Sequence, residues 1–205
     1  TPFTFVATTE TIAILGAIPV YVDIDPKTFN MDINKIEAKI TPKTKAIMPV
    51  HLYGQPCDMN PLMKLAEKHG LYVIEDAAQA MGSKYNDKMI CTIGDIGCIS
   101  FYPSKNLGAF GDGGMLTTND EKLAEKIRMI ISHGSKKKYY HETLGVNSRL
   151  DSIQAAILDI KLKYLDEYCE ARYNAAMKYN EKFKGIFETP YIMPGVKHIF
   201  HQYSI

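Results

Sequence analysis

Strand-like and helical segments alternate along the first 134 residues, and this alternation constrains the fold more than any other feature of the sequence. Strands are predicted at 19–25, 45–53, 71–78, 97–103 and 113–119, and helices at 4–17, 32–40, 60–70 and 120–134. Strands that are apolar almost throughout, and that alternate with helices, are typical of a mostly parallel sheet covered by helices on both faces. The sequence therefore predicts an α/β fold.

A different pattern follows this alternating part of the chain. Residues 136–150 are polar and irregular, and one helix is predicted from 152 to about 184. Asp151 and Gln154 are expected to form a capping box at its start. One side of this helix carries an apolar stripe, which consists of Ile153, Ala156, Ile157, Ile160, Tyr164 and Tyr168.

Three segments are predicted at the level of domains. They are a large domain over 1–150, a long connecting helix over 151–185 and the start of a small C-terminal domain over 186–205. The last segment contains prolines and a glycine, which is typical of an entry into another domain. Because the sequence begins with Thr and stops inside a strand-like segment, we expect both ends to continue in a longer protein.

Charge and composition argue against several classes of partner. The net charge of +1 gives no general affinity for nucleic acid or anionic lipid. The four cysteines form no CxxC pair and have no histidine at metal-ligand spacing, so we predict reduced thiols and no metal site. No apolar run is long enough to cross a bilayer, and no signal peptide is visible. We expect a cytoplasmic protein that binds neither nucleic acid nor membrane.

The first motif with chemical content is VIEDAAQA at 73–80. Asp76 follows a buried strand, at the position where α/β sheets bind ligands, and Gln79 lies one turn further on. The Asp76 carboxylate could cap a helix, bind a metal ion or meet a cationic atom of a ligand. No second carboxylate or histidine stands nearby at ligand spacing, which disfavours the metal and leaves the other two interpretations open.

The second motif is SFYPSKNLGAFGDGG at 100–114, in which Lys105 joins a strand-like run to a glycine-rich turn. Lys105 could be a solvated surface charge, a phosphate clamp or an amine that forms an imine with an aldehyde cofactor. A phosphate clamp of the P-loop type is disfavoured, because the glycines follow the lysine. With Asp76 as an acid for a ring nitrogen, and with the hydroxyls of Ser100 and Ser104 for a phosphate, the pattern indicates pyridoxal phosphate (PLP).

Five stretches of the sequence, in this order, resemble the DegT/DnrJ/EryC1/StrS family of PLP-dependent nucleotide-sugar aminotransferases. They are TPFTFVATTETI, PVHLYGQPCDM, VIEDAAQAMGSKY, GDIGCISFYPSKNLGAFGDGGMLTTND and GVNSRLDSIQAAIL, and they extend over nearly the whole chain. The resemblance implies the aspartate-aminotransferase-like fold, known as fold type I. The chain would then contain much of the large PLP-binding domain and the start of the small domain.

The resemblance also implies roles for individual residues. Lys105 matches the lysine that forms a Schiff base with PLP and then moves a proton, and Asp76 matches the carboxylate that pairs with the pyridine nitrogen. Gln79 matches an amide near the hydroxyl edge of the ring, and Ser100 matches a phosphate-binding hydroxyl. Phe5 matches an aromatic residue that stacks on the ring; its alternative is a core residue of an N-terminal helix.

Two further matches concern the subunit interface. Asn147 and Arg149 match residues that reach into the site of the partner subunit, toward the cofactor phosphate. The resemblance thus implies a homodimer with its active site at the interface between subunits. From the sequence alone, Arg149 could equally form an ion pair on the surface.

The reaction implied by the resemblance is the transfer of an amino group from glutamate to a keto-sugar carried by a nucleoside diphosphate. Related dehydratases carry His where Lys105 stands, so transamination is favoured. GAFGDGGM resembles members that aminate C3 of the sugar more than members that aminate C4. A PLP-binding relative with a regulatory role is one alternative. An unrelated nucleotide-binding α/β protein is another, although the sequence has neither a P-loop nor a GxGxxG turn.

Overall fold

The computed structural model describes residues 1–205 and contains nine strands and five α-helices. The strands are β1 (Ala46–Ile47), β2 (Tyr72–Asp76), β3 (Lys84–Tyr85), β4 (Lys88–Met89), β5 (Ile96–Ser100), β6 (Gly114–Thr117), β7 (Ser135–Lys137), β8 (Tyr140–His141) and β9 (Val196–Lys197). The helices are α1 (Ala7–Ile14), α2 (Met59–His69), α3 (Glu121–Ile130), α4 (Ser152–Leu162) and α5 (Leu165–Phe183). None of these helices is both long and apolar enough to cross a membrane.

The central sheet has the strand order β1-β2-β5-β6. β1 and β2 are parallel, as are β2 and β5, whereas β5 and β6 are antiparallel. Val73 in β2 and Ile99 in β5 are buried, as expected for strands in the middle of a sheet. The predicted α/β class with a mostly parallel sheet is confirmed.

Two of the predicted helices have clear start or stop signals. α2 ends at Gly70, whose φ of 63° is in the left-handed region that a glycine C-cap favours. α3 begins after Asp120, whose carboxylate accepts hydrogen bonds from the N–H groups of Lys122 and Leu123. The helices predicted at 60–70 and 120–134 are therefore confirmed, with shorter bounds for the second.

Some predicted elements are shorter than expected or absent. Residues 19–25 contribute only an isolated bridge between Ile24 and Met31, because no neighbouring strand pairs with the rest of this apolar run. The strand predicted at 45–53 is reduced to β1 and a bridge at Val50, after which the chain turns. Residues 32–40 form two short 3-10 turns in place of a helix.

The single helix predicted from 152 to about 184 is instead two helices, α4 and α5. The break lies at Tyr164, where φ is −107° and ψ is 2°, and where the N–H bonds the carbonyl of Lys161 three residues back. The apolar stripe predicted for it is largely exposed: Ile153 is 73% and Ile160 59% exposed. A different set of residues enters the core, namely Leu158, Leu165 and Cys169, and the break lets both helices reach it.

The C-terminal residues return to the body of the fold. β9 pairs with β3 in an antiparallel register. Ile199 is fully buried in the same core cluster as Leu158 and Leu165. Its N–H donates to the carbonyl of Gly54 at 3.1 Å. The segment around 196–201 is thus anchored to the body by both backbone and side-chain contacts.

A buried carboxylate lies within β2, next to the end of the strand. Glu75 and His51 are both fully buried, with Oε2 and Nε2 3.0 Å apart. His51 Nδ1 accepts the N–H of Cys57, so the proton of the neutral ring is on Nε2 and is donated to Glu75. Three N–H groups of residues 91–94 also donate to Glu75. Burial alone would raise the pKa of Glu75, but these hydrogen bonds hold the pKa below its ordinary value.

Glu75→Gln is expected to lower the free energy of unfolding by about 3 kcal/mol, because the new NH2 group must face groups that are all donors. Glu75 has a lower pKa in the folded than in the unfolded chain. Its stabilisation is therefore complete above the unfolded pKa and is lost as the pH falls through the folded pKa. Urea unfolding at several pH values measures both effects.

The matched control is Glu170→Gln, which changes an exposed carboxylate on α5. We expect it to change the free energy of unfolding by less than about 0.5 kcal/mol. If the Glu75→Gln variant is as stable as the unmutated protein at neutral pH, the hydrogen bonds of Glu75 do not stabilise the fold as proposed.

Candidate active site

The carboxyl edge of the two central parallel strands carries the candidate site. Asp76 is the last residue of β2 and Ser100 is the last residue of β5. These strands are direct neighbours, with Asp76 in register with Cys98. Because parallel strands end at the same edge of a sheet, both side chains are brought to one place.

Asp76 is fixed at this edge by two hydrogen bonds. Thr8 of α1 donates its hydroxyl to Oδ2 at 2.7 Å, and the N–H of Ala78 donates to Oδ1 at 3.1 Å. No helix follows Asp76, because residues 77–82 form turns. The interpretation of Asp76 as a helix cap is therefore wrong, and its carboxylate remains available to a cationic partner.

Lys105 lies in the turn that follows β5, where its N–H donates to the carbonyl of Tyr102 at 2.9 Å. Lys105 is half-buried, so its amine is not a fully solvated surface charge. Burial lowers the pKa of the Lys105 amine below its ordinary value, and the negative charge of Asp76 acts in the opposite direction. The charge of Asp76 thus acts on the Lys105 amine, and because burial is the larger effect, a larger share of the amine is neutral than for a solvated lysine.

The turn around Lys105 is held tightly at its far end. A Cβ at Gly108 would clash with the carbonyl oxygen of Pro103, so this close approach requires glycine. The N–H of Ala109 donates to the carbonyl of Phe101 at 2.7 Å. These contacts close the loop that presents Lys105.

Helix α4 supports the same loop. Gln154 accepts the N–H of Phe110 at 2.8 Å, and Lys161 donates to the carbonyl of Gly108. Asp151 makes no capping hydrogen bond with its side chain. The predicted capping box is therefore wrong, because Gln154 bonds the glycine-rich loop in place of its own helix end.

Gln79 and Ser100 each use an oxygen as an acceptor, which leaves a side-chain donor available to a ligand. Gln79 accepts the N–H of Tyr53 with its carbonyl oxygen at 2.7 Å, so its NH2 group is left to donate. Ser100 accepts the N–H of Tyr102 at 3.2 Å, so its hydroxyl proton is likewise available. Both residues sit at the same edge as Asp76 and Lys105.

Phe5 lies just before α1 and is 72% exposed. The interpretation of Phe5 as a core residue is therefore wrong. Its carbonyl accepts the N–H of Thr8, whose side chain in turn bonds Asp76. The backbone of Phe5 is thus linked, through Thr8, to the edge where Asp76 lies.

Asn147 and Arg149 are not joined to the other candidate residues. Both are exposed, and the Nε of Arg149 donates to Oδ1 of Asn147 at 2.9 Å. No carboxylate lies within ion-pair distance of Arg149, so the surface ion pair does not form. Asn147 forms an isolated bridge with Ser132, which fixes the backbone of this segment against the end of α3.

Two residues that contact this site were not identified from the sequence. Thr8 bonds Asp76 across a separation of 68 residues, and His201 bonds Asn106 across 95. The one available signal for Thr8 was its place within TPFTFVATTETI, near the start of a predicted helix. His201 lies in a segment that the sequence marks only as strand-like.

The residues at this edge could hold PLP. The cofactor needs an amine for covalent attachment, a carboxylate for its ring nitrogen and donors for its phosphate and ring hydroxyl. Lys105 supplies an amine with a lowered pKa, and Asp76 a carboxylate that acts on that amine. Ser100 and Gln79 supply free donors. The chemistry of the side chains therefore fits the group.

Comparison with known proteins agrees with this chemistry. The model of the DegT/DnrJ/EryC1/StrS aminotransferase family matches residues 1–205. The chain is 55% identical to a pleiotropic regulatory protein of Geobacillus stearothermophilus, over 100% of this chain and 56% of that protein. It is 52% identical to a UDP-N-acetyl-3-dehydro-alpha-D-glucosamine 3-aminotransferase of Acidithiobacillus ferrooxidans, over 99% of this chain and 55% of that protein.

A solved structure gives the same result for the fold. NtdA of Bacillus subtilis, with bound cofactor PMP, matches with a TM-score of 0.89 and 37% identity, over 98% of this chain and 46% of that one. The chain spans about half the length of the curated relatives it matches. Because the family model covers every residue, and the relatives are far above 30% identical, this chain belongs to the DegT/DnrJ/EryC1/StrS aminotransferase family.

Proposed function

We propose that the protein transfers an amino group from glutamate to a keto-sugar attached to a nucleoside diphosphate, with PLP as its cofactor. The observation that carries this proposal is the placement of Lys105 and Asp76 at one edge of the sheet, where the charge of Asp76 acts on the Lys105 amine. Membership of an aminotransferase family supports it.

PLP, when bound, supplies an electron sink that makes the α-proton of an amino acid acidic. Lys105 would attach the cofactor and then carry the proton between the substrate carbon and the cofactor, which requires the neutral amine that burial favours. Asp76 would hold the ring nitrogen in its protonated form, with Thr8 and Ala78 fixing the carboxylate. Ser100 would donate to the phosphate.

The remaining residues would complete the binding of the cofactor. Gln79 would donate its NH2 group at the hydroxyl edge of the ring, and Phe5, which is exposed beside α1, would cover one face of it. In a homodimer, Asn147 and Arg149 would reach into the active site of the second copy, toward the cofactor phosphate. Their exposure and the lack of an ion pair for Arg149 support this assignment.

For the substrate, we propose amination at C3 of the sugar. GAFGDGGM and the relative named as a 3-aminotransferase support this proposal. We further propose a cytoplasmic protein in which residues 1–150 form the large domain and 186–205 begin the small one. The contacts of β9 with β3 mean that such a small domain would start against the body of the large domain.

A PLP-binding regulatory protein is the second candidate function. The relative named as a pleiotropic regulatory protein favours it. Both candidates require Lys105 and PLP, so cofactor binding does not separate them. Glutamate does, because only an aminotransferase converts the bound cofactor into its amino form.

The test offers the full-length protein a panel of nucleoside-diphosphate 3-keto and 4-keto sugars with glutamate and PLP. Products are identified by mass spectrometry and NMR. We expect an amino-sugar nucleotide aminated at C3, and loss of the near-visible absorption of bound PLP when glutamate alone is added. A protein that binds PLP but leaves that absorption unchanged with glutamate would support the regulatory candidate instead.

A further inference from the structure

The C-terminal segment contacts the turn that carries Lys105. His201 Nδ1 lies 2.9 Å from Oδ1 of Asn106, the residue that follows Lys105 in the chain. Asn106 is only 8% exposed, so this hydrogen bond is largely shielded from water. The two residues are far apart in sequence and meet only because the chain returns to the body after β9.

His201 is itself fixed on two sides. Its N–H donates to the carbonyl of Tyr53 at 2.8 Å, and Tyr53 is the residue whose N–H bonds Gln79. From the other side, Arg172 of α5 donates to the carbonyl groups of Phe200 and His201 at 3.4 and 3.3 Å. The imidazole is therefore presented to Asn106 from a backbone that cannot easily shift.

Asn106 depends on this bond for its position. Its carbonyl oxygen bonds His201, while its buried amide nitrogen has no hydrogen-bond partner. The contact with His201 is thus the one strong polar contact of the Asn106 side chain. Losing it would leave both polar atoms of a buried amide poorly bonded.

The charge state of His201 suits this arrangement. Burial lowers the pKa of His201 to about 4, and the positive charges of Lys105 and Arg172 act in the same direction. At neutral pH the ring is therefore neutral. It can bond Asn106 without adding a second cation beside the Lys105 amine.

We propose that His201 is a positioning residue for Lys105: by bonding Asn106 it fixes the turn that presents the amine to PLP. The inference rests on the proposed function, since it concerns the attachment of that cofactor. Attachment is fast only if the amine is held in a reactive geometry, and a turn with a loose Asn106 samples that geometry less often.

The sharpest test compares His201→Leu with His201→Asn, two side chains of nearly the same shape. Asn can place its amide nitrogen where Nδ1 lies, whereas Leu cannot donate a hydrogen bond. Apoprotein of the full-length chain is mixed with PLP, and the rate of covalent attachment is followed by near-visible absorption. We expect His201→Leu to attach PLP about tenfold more slowly and His201→Asn to stay within about threefold of the unmutated rate.

A second variant separates positioning from stability. His198 is buried in the same segment, its ring stacks on Phe200 with centroids 3.8 Å apart, and it accepts the N–H of Phe200 and makes no hydrogen bond with Asn106. We expect His198→Leu to lower Tm yet to attach PLP at the unmutated rate. If His198→Leu slows attachment as much as His201→Leu, or if His201→Asn is as slow as His201→Leu, the positioning role is wrong.

A measurement on the protein without PLP tests the role of His201 independently of the proposed function. In the apoprotein, amide hydrogen exchange of residues 102–109 is expected to be about tenfold faster in His201→Leu and unchanged in His198→Leu. Equal exchange in both variants would overturn the link between His201 and the turn. An unmutated protein that never attaches PLP would overturn the proposed function, whatever the exchange rates are.

Discussion

Lys105→Ala is expected to abolish covalent binding of PLP and to lower turnover by at least about 10³-fold. The variant loses both the amine that would attach the cofactor and the group that would move the substrate proton. Lys105 is the one candidate amine at this edge whose pKa is lowered by burial. The near-visible absorption of lysine-bound PLP, followed during titration with PLP, measures the first effect, and product formation measures the second.

Two control variants make the Lys105 experiment specific. Lys105→Arg keeps a positive charge close to Asp76, but a guanidinium remains protonated and cannot attach PLP, so we expect the same loss as for Ala. Lys122→Ala changes an exposed lysine in the first turn of α3 and should leave both readouts unchanged. Retention of the absorption band in Lys105→Ala would mean that another lysine holds the cofactor.

Asp76→Asn is expected to lower turnover by about 10²- to 10³-fold while leaving the fold intact. The amide has nearly the same shape and can still accept hydrogen bonds from Thr8 or Ala78, but it cannot balance a positive charge on the ring nitrogen. The variant also removes the charge that raises the pKa of Lys105, so the pKa of this amine should fall further. Turnover with glutamate, together with a pH titration of the apoprotein amine, measures both changes.

The control for Asp76→Asn is Asp159→Asn on the exposed side of α4, where the carboxylate pairs with Lys163 on the surface. We expect it to have unmutated turnover. If Asp76→Asn also shows unmutated turnover, Asp76 does not face the ring nitrogen, and the orientation of the cofactor in this site must be different.

The sequence was sufficient to predict that Asp76 and Lys105 lie at the same edge of the sheet, because their places follow from strand order; their roles stay predictions. Asp76 ends a buried strand, Lys105 follows the next parallel strand, and parallel strands end at one edge of a sheet. The sequence also predicted helix ends that are fixed by residues within a few positions of the end. The cap at Asp120 and the stop at Gly70 are examples.

Features that depend on distant parts of the chain could not be predicted. Thr8 and His201 reach the site across 68 and 95 residues, and nothing in their own neighbourhoods indicates a partner. Gln154 stands at the position of a capping box, yet it bonds Phe110 because the glycine-rich loop lies against the start of α4. Whether a side chain bonds a local or a distant group depends on the fold, so the local spacing of residues cannot predict it.

The same reason explains the errors in the apolar segments. Residues 19–25 have the composition of a strand, but only Ile24 finds a bridging partner. Along 152–184 the periodic stripe selected one face, while Leu158, Leu165 and Cys169 on another face enter the core. Periodicity can identify an amphipathic helix or a strand, but which of its side chains are buried depends on the elements that pack against it.

The most direct measurement is to reduce the PLP-bound full-length protein with borohydride, digest it and locate the pyridoxyl group by mass spectrometry. The account predicts a single modified peptide, drawn from residues 100–114, with the label on Lys105. A label on any other lysine, or no label at all on protein saturated with PLP, would contradict it.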